Sequence, residues 1–292
     1  MVNSKPETRN SKLPMADKGF IDSHVHFFPE GIFKSIWKWF DSFAWNINYK
    51  LPVDQLVKLL KETGAERFVC YNYAHKPGIS RMINEWTDHL RNTYPEVIPF
   101  AAVHPEDEDP RGELKKWFGK GFKGVKLHCH VIAISPDNEK MFPIYDTVIE
   151  NDKVLVIHAG SGPNLGGYSN ITSAFSGAGL LEKMLKRYPM MKVIVPHFCA
   201  DEFERCFALM DEYKNLYTDN TMVFSGFFPQ VPGPESFLLH LVRHQDRILY
   251  GTDFPNIPYD VDTELKKIQG LSLPVEAKEK ILRGNAIKLF GL

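Results

Sequence analysis

From residue 20 onward, short apolar runs alternate with longer amphipathic segments. Strands are predicted at residues 20–25, 67–73, 98–103, 123–128, 153–158, 192–197, 215–219 and 247–252. Runs this short, several of them rich in Val, Ile and Phe, are the pattern of strands buried on both faces, as in a parallel sheet. Between them apolar positions recur at helical spacing. Val53–Glu62 opens after Pro52 and stops at Gly64, Ile79–Thr93 ends before Pro95, and Pro110–Phe118 stops at Gly119. Further helices are predicted at Asn138–Glu150, 178–188, 202–213, 234–244, 260–269 and 275–289. Strand followed by helix, repeated around the chain, predicts an α/β fold of the (β/α)8 TIM-barrel type, and the length suits it. A doubly wound open sheet alternates in the same way, but no G-x-G-x-x-G turn follows the first strand to favour it.

Met1–Lys18 is polar and has no apolar segment of a secretory signal. Residues 1–19 are expected to form a disordered leader, with Met15 an alternative start, and residues 20–292 a single domain, since no linker, repeat or low-complexity tract divides them. The chain has 292 residues and is 43% hydrophobic, enough for one sizeable core. Its formal net charge of -1 gives no electrostatic case for nucleic acid or an anionic membrane surface. No run approaches the roughly 18 apolar residues of a membrane span. A small-molecule substrate is the expected partner. Cys70, Cys129, Cys199 and Cys206 have neither zinc-ribbon spacing nor the density of a disulfide scaffold, and read as reduced thiols of a cytoplasmic protein.

The chemistry gathers where predicted strands end, which in a TIM barrel is where active sites form. The first strand runs into His24-Val25-His26, and residues two apart on a strand face the same side. A lone H-x-H is weak evidence. However, the fifth strand ends in His158, the sixth in His197 and the eighth in Asp253, each closing an apolar run where an unpaired polar group is costly. Strands 1 and 8 are neighbours once a barrel closes, and strand 5 lies across the mouth. Ligands from all three meet only near the barrel axis, which predicts a metal site there. On the fourth strand Lys126 and His128 share a face, so both could point inward.

Taken in order, Ile21-Asp22-Ser23-His24-Val25-His26, Gly124-Val125-Lys126-Leu127-His128, His158, His197, Arg247-Ile248-Leu249-Tyr250-Gly251-Thr252-Asp253-Phe254-Pro255 and the tail Asn285–Gly291 resemble the amidohydrolase superfamily, specifically its amidohydrolase-2 branch of metal-dependent hydrolases and decarboxylases. The resemblance implies that His24, His26, His158 and Asp253 bind one divalent metal, most often Zn2+, with Mn2+ the alternative. It also implies that bound water is acidified towards a pKa of about 7. Asp253 would take a proton from that water and pass it to the leaving group, and His197 would orient water or polarise a carbonyl. Lys126 corresponds to a carboxylated lysine in binuclear relatives. In a one-metal site it is expected to be structural or substrate-side, with His128, and less so His130, touching substrate. After His197 the chain reads Phe198-Cys199-Ala200-Asp201-Glu202, without the glycine many relatives carry there.

The leading expectation is a metal-dependent hydrolase that attacks an ester, lactone or amide with metal-activated water. The alternative is non-oxidative decarboxylation of an aromatic or unsaturated carboxylic acid. A decarboxylase needs an Arg or His to grip a carboxylate, and no arginine closes a predicted strand, which favours hydrolysis. A non-catalytic barrel would be expected to have lost some of these ligands.

Residues 27–49 form an aromatic-rich insertion that either covers the site or packs onto the barrel or onto a second subunit of a homodimer. The Gly160–Gly179 stretch is suited to moving over substrate. Asp219-Asn220-Thr221 closes the seventh strand and reads as a cap or turn, with a hydrogen bond to the site as the other reading. His75 and His104 read as turn or surface histidines.

Overall fold

The computed structural model describes residues 19–160 and 174–292. The expected leader, Gly19 apart, and most of the Gly160–Gly179 stretch lie outside the described residues. The strands are β1 (Phe20–Val25), β2 (Ala65–Cys70), β3 (Val97–Pro99), β4 (Ala101–Ala102), β5 (Gly124–His128), β6 (Val154–His158), β7 (Lys192–Val195), β8 (Leu216–Asp219) and β9 (Ile248–Leu249), all paired in parallel. They run in the order β1-β2-β3 and β4-β5-β6-β7-β8-β9. β3 and β4 are two stretches of one predicted strand. Pro99 pairs with Cys70 on one side, and its carbonyl accepts from Lys123 N at 3.0 Å on the other, joining the two ladders. At the remaining seam Ser23 N donates to Tyr250 O (2.8 Å), Asp253 N to His24 O (2.9 Å) and His26 N to Phe254 O (2.8 Å). These bonds close the ring, and the fold is a (β/α)8 barrel.

Strand alternation sorts side chains into two layers. Ile21, Val69, Phe100, Val156, Ile194 and Leu249 form a buried cluster inside the barrel. The C-terminal helix α12 (Asn285–Phe290) stoppers it, with Phe290 edge-on to Phe100 at 5.5 Å. Lys123, just before β5, donates to Gly291 O, which places that stopper at the amino end of the strands. Outward-facing Phe68, Val125, Leu155 and Val193 join a larger cluster with the surrounding helices. Lys126, His128, Val156 and His158 share the other parity and point inward. Along β5 and β6 the paired register sets His128 directly beside His158.

The insertion contains helix α1 (Glu30–Phe43), which starts after Pro29, whose fixed φ suits a helix entry. Its return stretch is tied down by Trp45 Nε1 donating to Asn256 O at 2.9 Å and by Val261 N donating to Tyr49 Oη at 3.0 Å. Phe33 is buried and stacked on Trp37 at 5.1 Å. Ile32, Ile36, Trp39 and Phe40 face a cavity at the carboxyl ends of the strands. The insertion thus packs on the barrel and roofs its mouth with the same helix. Among the described residues no helix is long and apolar enough to cross a membrane.

Candidate functional site

Three elements bring His24, His26 and Asp253 together. On β1 the register advances three residues, from Asp22 to Val25, against two on β2, from Phe68 to Cys70. A bulge of this kind re-aims the side chains that follow it. Asp253 comes from the turn after β9, where its φ of 67° puts a non-glycine residue in the left-handed region. Gly251 makes the approach possible. A Cβ there would stand 2.7 Å from His24 Cβ and collide with Thr221 Oγ1.

Each imidazole is held from behind. His24 Nδ1 donates to Asp219 Oδ2 at 3.0 Å, His26 Nδ1 to the Tyr71 carbonyl, and His197 Nδ1 to the Thr221 carbonyl at 2.9 Å. Carbonyls and carboxylates only accept, so in each ring Nδ1 carries the proton and Nε2 presents a lone pair. The Nε2 atoms of His24 and His26 then lie 3.4 Å and 2.9 Å from Asp253 Oδ1. Two lone pairs and a carboxylate at that spacing repel one another unless a cation lies among them. Imidazole nitrogen plus carboxylate oxygen is a donor set that suits a divalent transition metal, and donors orienting the ligands from behind are the usual second layer of such sites. The residues present therefore fit a metal ion.

The electrostatics agree. Burial, with Lys126 nearby, pulls the His24 pKa down to about 3, so the ring is neutral. Burial opposes the charge of Asp219, but His24 and the backbone N–H of His197 outweigh it and hold the carboxyl at about 2. Burial also opposes the charge of Asp253, yet the surrounding side chains of His26, His24 and His197 hold its carboxyl well below the usual carboxylate range. Asp22 is fully buried. It accepts from His24 N (3.0 Å), Thr252 N (3.2 Å) and Thr252 Oγ1 (2.6 Å), so it staples β1 to the turn after β9.

His158 belongs to a second group. Its ring stacks on His128 at 4.2 Å and 5°, as their paired register requires, and the two lie with His130 within ligating range of one another. The set predicted as four ligands thus divides into His24, His26 and Asp253 on one side and His128, His130 and His158 on the other. His197 bridges them, with ring centroids 5.3 Å from His24 and 4.9 Å from His158. His130 Nε2 meets Ser176 Oγ, whereas His128 Nδ1 and His158 Nδ1 are buried without a hydrogen-bond partner among the described residues. Burial holds His128 and His158 well below the ordinary histidine range and His130 at about 4, so all three are neutral.

Lys126 stands at the floor between the groups. It is 1% exposed, its Nζ has no hydrogen-bond partner among the described residues, and it lies over the Tyr71 ring at 5.3 Å. Burial pulls its pKa down to about 8. Lys126 and all six histidines of the two groups and the bridge line one cavity of about 660 Å³, together with Asp253.

Other expectations fall out as follows. His75 lines the same cavity. His104 serves a turn, accepting Glu106 N at Nδ1 (3.1 Å). The four cysteines are free and buried, and none belongs to a metal-binding group among the described residues. Asp219 is more than a turn residue: it fixes His24 and also accepts His197 N at 2.9 Å. Asp22 was missed altogether. Its signal was a carboxylate in the middle of an apolar strand, where burial is tolerated only with partners.

A closed (β/α)8 barrel with a candidate His/Asp metal group at its carboxyl end is the frame of the metal-dependent hydrolase fold. The amidohydrolase family model matches residues 21–292, and the chain belongs to that family. The chain is similar in structure to an uncharacterized TIM-barrel protein from Bordetella bronchiseptica, at 18% identity and TM-score 0.73, covering 94% of this chain and 98% of that one. It is similar to 2,6-dihydroxybenzoate decarboxylase from Rhizobium, at 18% identity and TM-score 0.66, covering 94% and 99%. It also resembles 5-carboxyvanillate decarboxylase from Novosphingobium aromaticivorans, complexed with manganese and 4-hydroxy-3-methoxy-5-nitrobenzoic acid, at 16% identity and TM-score 0.66, covering 94% and 97%. At such identities the likeness is one of fold. No curated protein sequence matches the chain.

Proposed function

We propose that the chain is a metal-dependent, non-oxidative decarboxylase of a carboxylic acid carried on an aromatic ring. The observation that carries this reading is the Lys126 ammonium at the floor of the cavity, buried without a hydrogen-bond partner among the described residues. A buried cation held ready in this way needs an anion. Hydrolysis was favoured because no arginine closes a strand, but Lys126 meets the same need from inside the barrel. Two of the structural neighbours, named as decarboxylases of hydroxylated aromatic acids, lend the reading further support.

His24, His26 and Asp253 would hold the metal, with His158 reaching it from across the mouth. Manganese in a neighbour of the same fold makes Mn2+ as good a candidate as Zn2+. When bound, the ion would supply positive charge that favours the deprotonated form of a substrate ring hydroxyl, which leaves the ring electron-rich. Lys126 and His128 grip the reacting carboxylate and orient it. Asp253 takes up the proton that the hydroxyl releases and delivers it to the ring carbon that bears the carboxylate. The bond from that carbon to the carboxyl carbon then breaks, its electron pair stays with the ring, and carbon dioxide leaves. His197, fixed by Thr221 and Asp219, turns its Nε2 towards the reacting group.

The deciding test loads the protein with Mn2+ or Zn2+ and offers hydroxybenzoates, lactones and amides. Carbon dioxide released from an aromatic acid, and lost in His24→Ala together with the bound metal, is the expected result. New carboxylate from a lactone or amide, with no carbon dioxide from any acid, would return the site to hydrolysis.

A further inference from the structure

The cavity is much larger than the reaction proposed for it requires. About 150 Å³ of apolar space holds one benzene ring, whereas this cavity measures about 660 Å³. Its lining is also divided. The six histidines of the site, Lys126 and Asp253 come from strand ends and the turns that follow them, and His75, Lys76 and Asp201 are the other ionisable groups in the lining. Facing them, α1, the return stretch behind it and the 222–231 segment after β8 present Ile36, Trp39, Phe40, Trp45, Met222 and Phe228. These walls are built surfaces. Phe40 meets Trp45 edge-on at 5.1 Å, Trp45 meets Phe228 at 5.6 Å, and Trp45 is anchored through Nε1 to Asn256 O. An apolar chamber with a few converging polar groups at one end is shaped for a ligand with a polar head and an apolar body.

We infer that the physiological substrate carries, beyond the ring bearing the reacting carboxylate, a second apolar body at least one ring in size, which lies between α1 and the 222–231 segment. The assignment of the head to a carboxylated ring rests on the decarboxylase reading; the assignment of the body rests on the volume and lining of the cavity. Trp39 and Phe228 are then specificity residues that touch only the body. Ser35, exposed on α1 and lining the same space, marks where added bulk would occupy the body's place.

Binding is measured without turnover, so that this inference and the decarboxylase reading fail separately. Mn2+-loaded protein is titrated with benzoate, 2-naphthoate and biphenyl-4-carboxylate, read by intrinsic tryptophan fluorescence and by calorimetry. The two-ring acids are expected to bind at least tenfold more tightly than benzoate. Trp39→Ala should remove most of that advantage. Ser35→Trp, a change at an exposed position that leaves the core intact, should abolish it while leaving the benzoate Kd within about twofold. Equal affinities across the series, or an advantage unaffected by Ser35→Trp in folded protein, would overturn the inference. Tighter two-ring binding without carbon dioxide release from any acid would leave it standing and sink the decarboxylase.

Discussion

At the residue scale the site works by fixing which nitrogen of each histidine carries the proton. Asp219 does this for His24 with a full negative charge. Asp219→Asn removes the charge behind His24 and leaves one acceptor oxygen where two served, so either His24 Nδ1 or His197 N loses its acceptor. Metal affinity should fall roughly tenfold to a hundredfold, as when such outer partners are changed elsewhere. Metal titration by calorimetry, alongside an unchanged far-UV spectrum, checks it. Lys126 gives a pH signature. Its pKa is lowered to about 8 by burial, so its charge is present below that pH and lost above it. Aromatic carboxylates should bind more weakly as pH rises through about 8. Lys126→Met should weaken them roughly tenfold to a hundredfold, the worth of a hydrogen bond to a charged group, and should erase the alkaline limb. A Kd-versus-pH profile that keeps its limb in Lys126→Met would assign the titration to another group.

At the element scale the sequence was readable wherever strand parity alone decides. β1 was placed to the residue, and His24, His26, His197 and Asp253, singled out because each ends an apolar run, line one cavity. His158 lines it too, but its stacking on His128 follows from the register between β5 and β6, a non-local pairing that no local pattern encodes. The turn after β7 was opaque for a similar reason. His197, Phe198, Cys199 and Ala200 all have positive φ, from 48° to 62°, without the glycine that would have announced it. The turn combines one tertiary contact, His197 N on Asp219, with local bonds from Cys199 N to Pro196 O and Ala200 N to His197 O. Gly251 shows the opposite case, a glycine in plain sight whose role depends on what approaches it. Gly251→Ala would push into His24 and Thr221, and overpacking of this kind typically costs about 1–3 kcal/mol. The expected outcome is a lower melting temperature together with weakened metal binding. A stable variant with normal metal affinity would mean that the seam relaxes freely there.

At the scale of the whole molecule, the barrel buries carboxyl groups that it must keep neutral, and this sets how its stability responds to pH. Glu264, on helix α10 (Thr263–Gly270), is fully buried; its Oε2 accepts from Asn220 Nδ2 (2.9 Å) and Phe224 N (3.1 Å). Asn220 in turn accepts Gly251 N at 3.4 Å, so the group braces the strand ends under the site. Burial raises the Glu264 pKa to about 8 and that of Asp22 to about 7. A carboxyl whose pKa is raised in the folded state contributes stability that is fully present below its unfolded value, near 4.5 for Glu264, and is lost as pH rises through its folded value. The metal-free protein should therefore melt at progressively lower temperature from about pH 5 to pH 8. The measurement needs a chelator, because metal binding favours deprotonated ligands and would act in the opposite direction. Glu264→Gln retains an oxygen for Asn220 and Phe224 but cannot ionise. It should match the parent near pH 5 and exceed it at pH 8.5 by up to about 4–5 kcal/mol, or roughly 10 °C. Identical melting curves for parent and variant across that range would show that Glu264 ionises without cost, and would place the brace on Asn220 and the backbone instead.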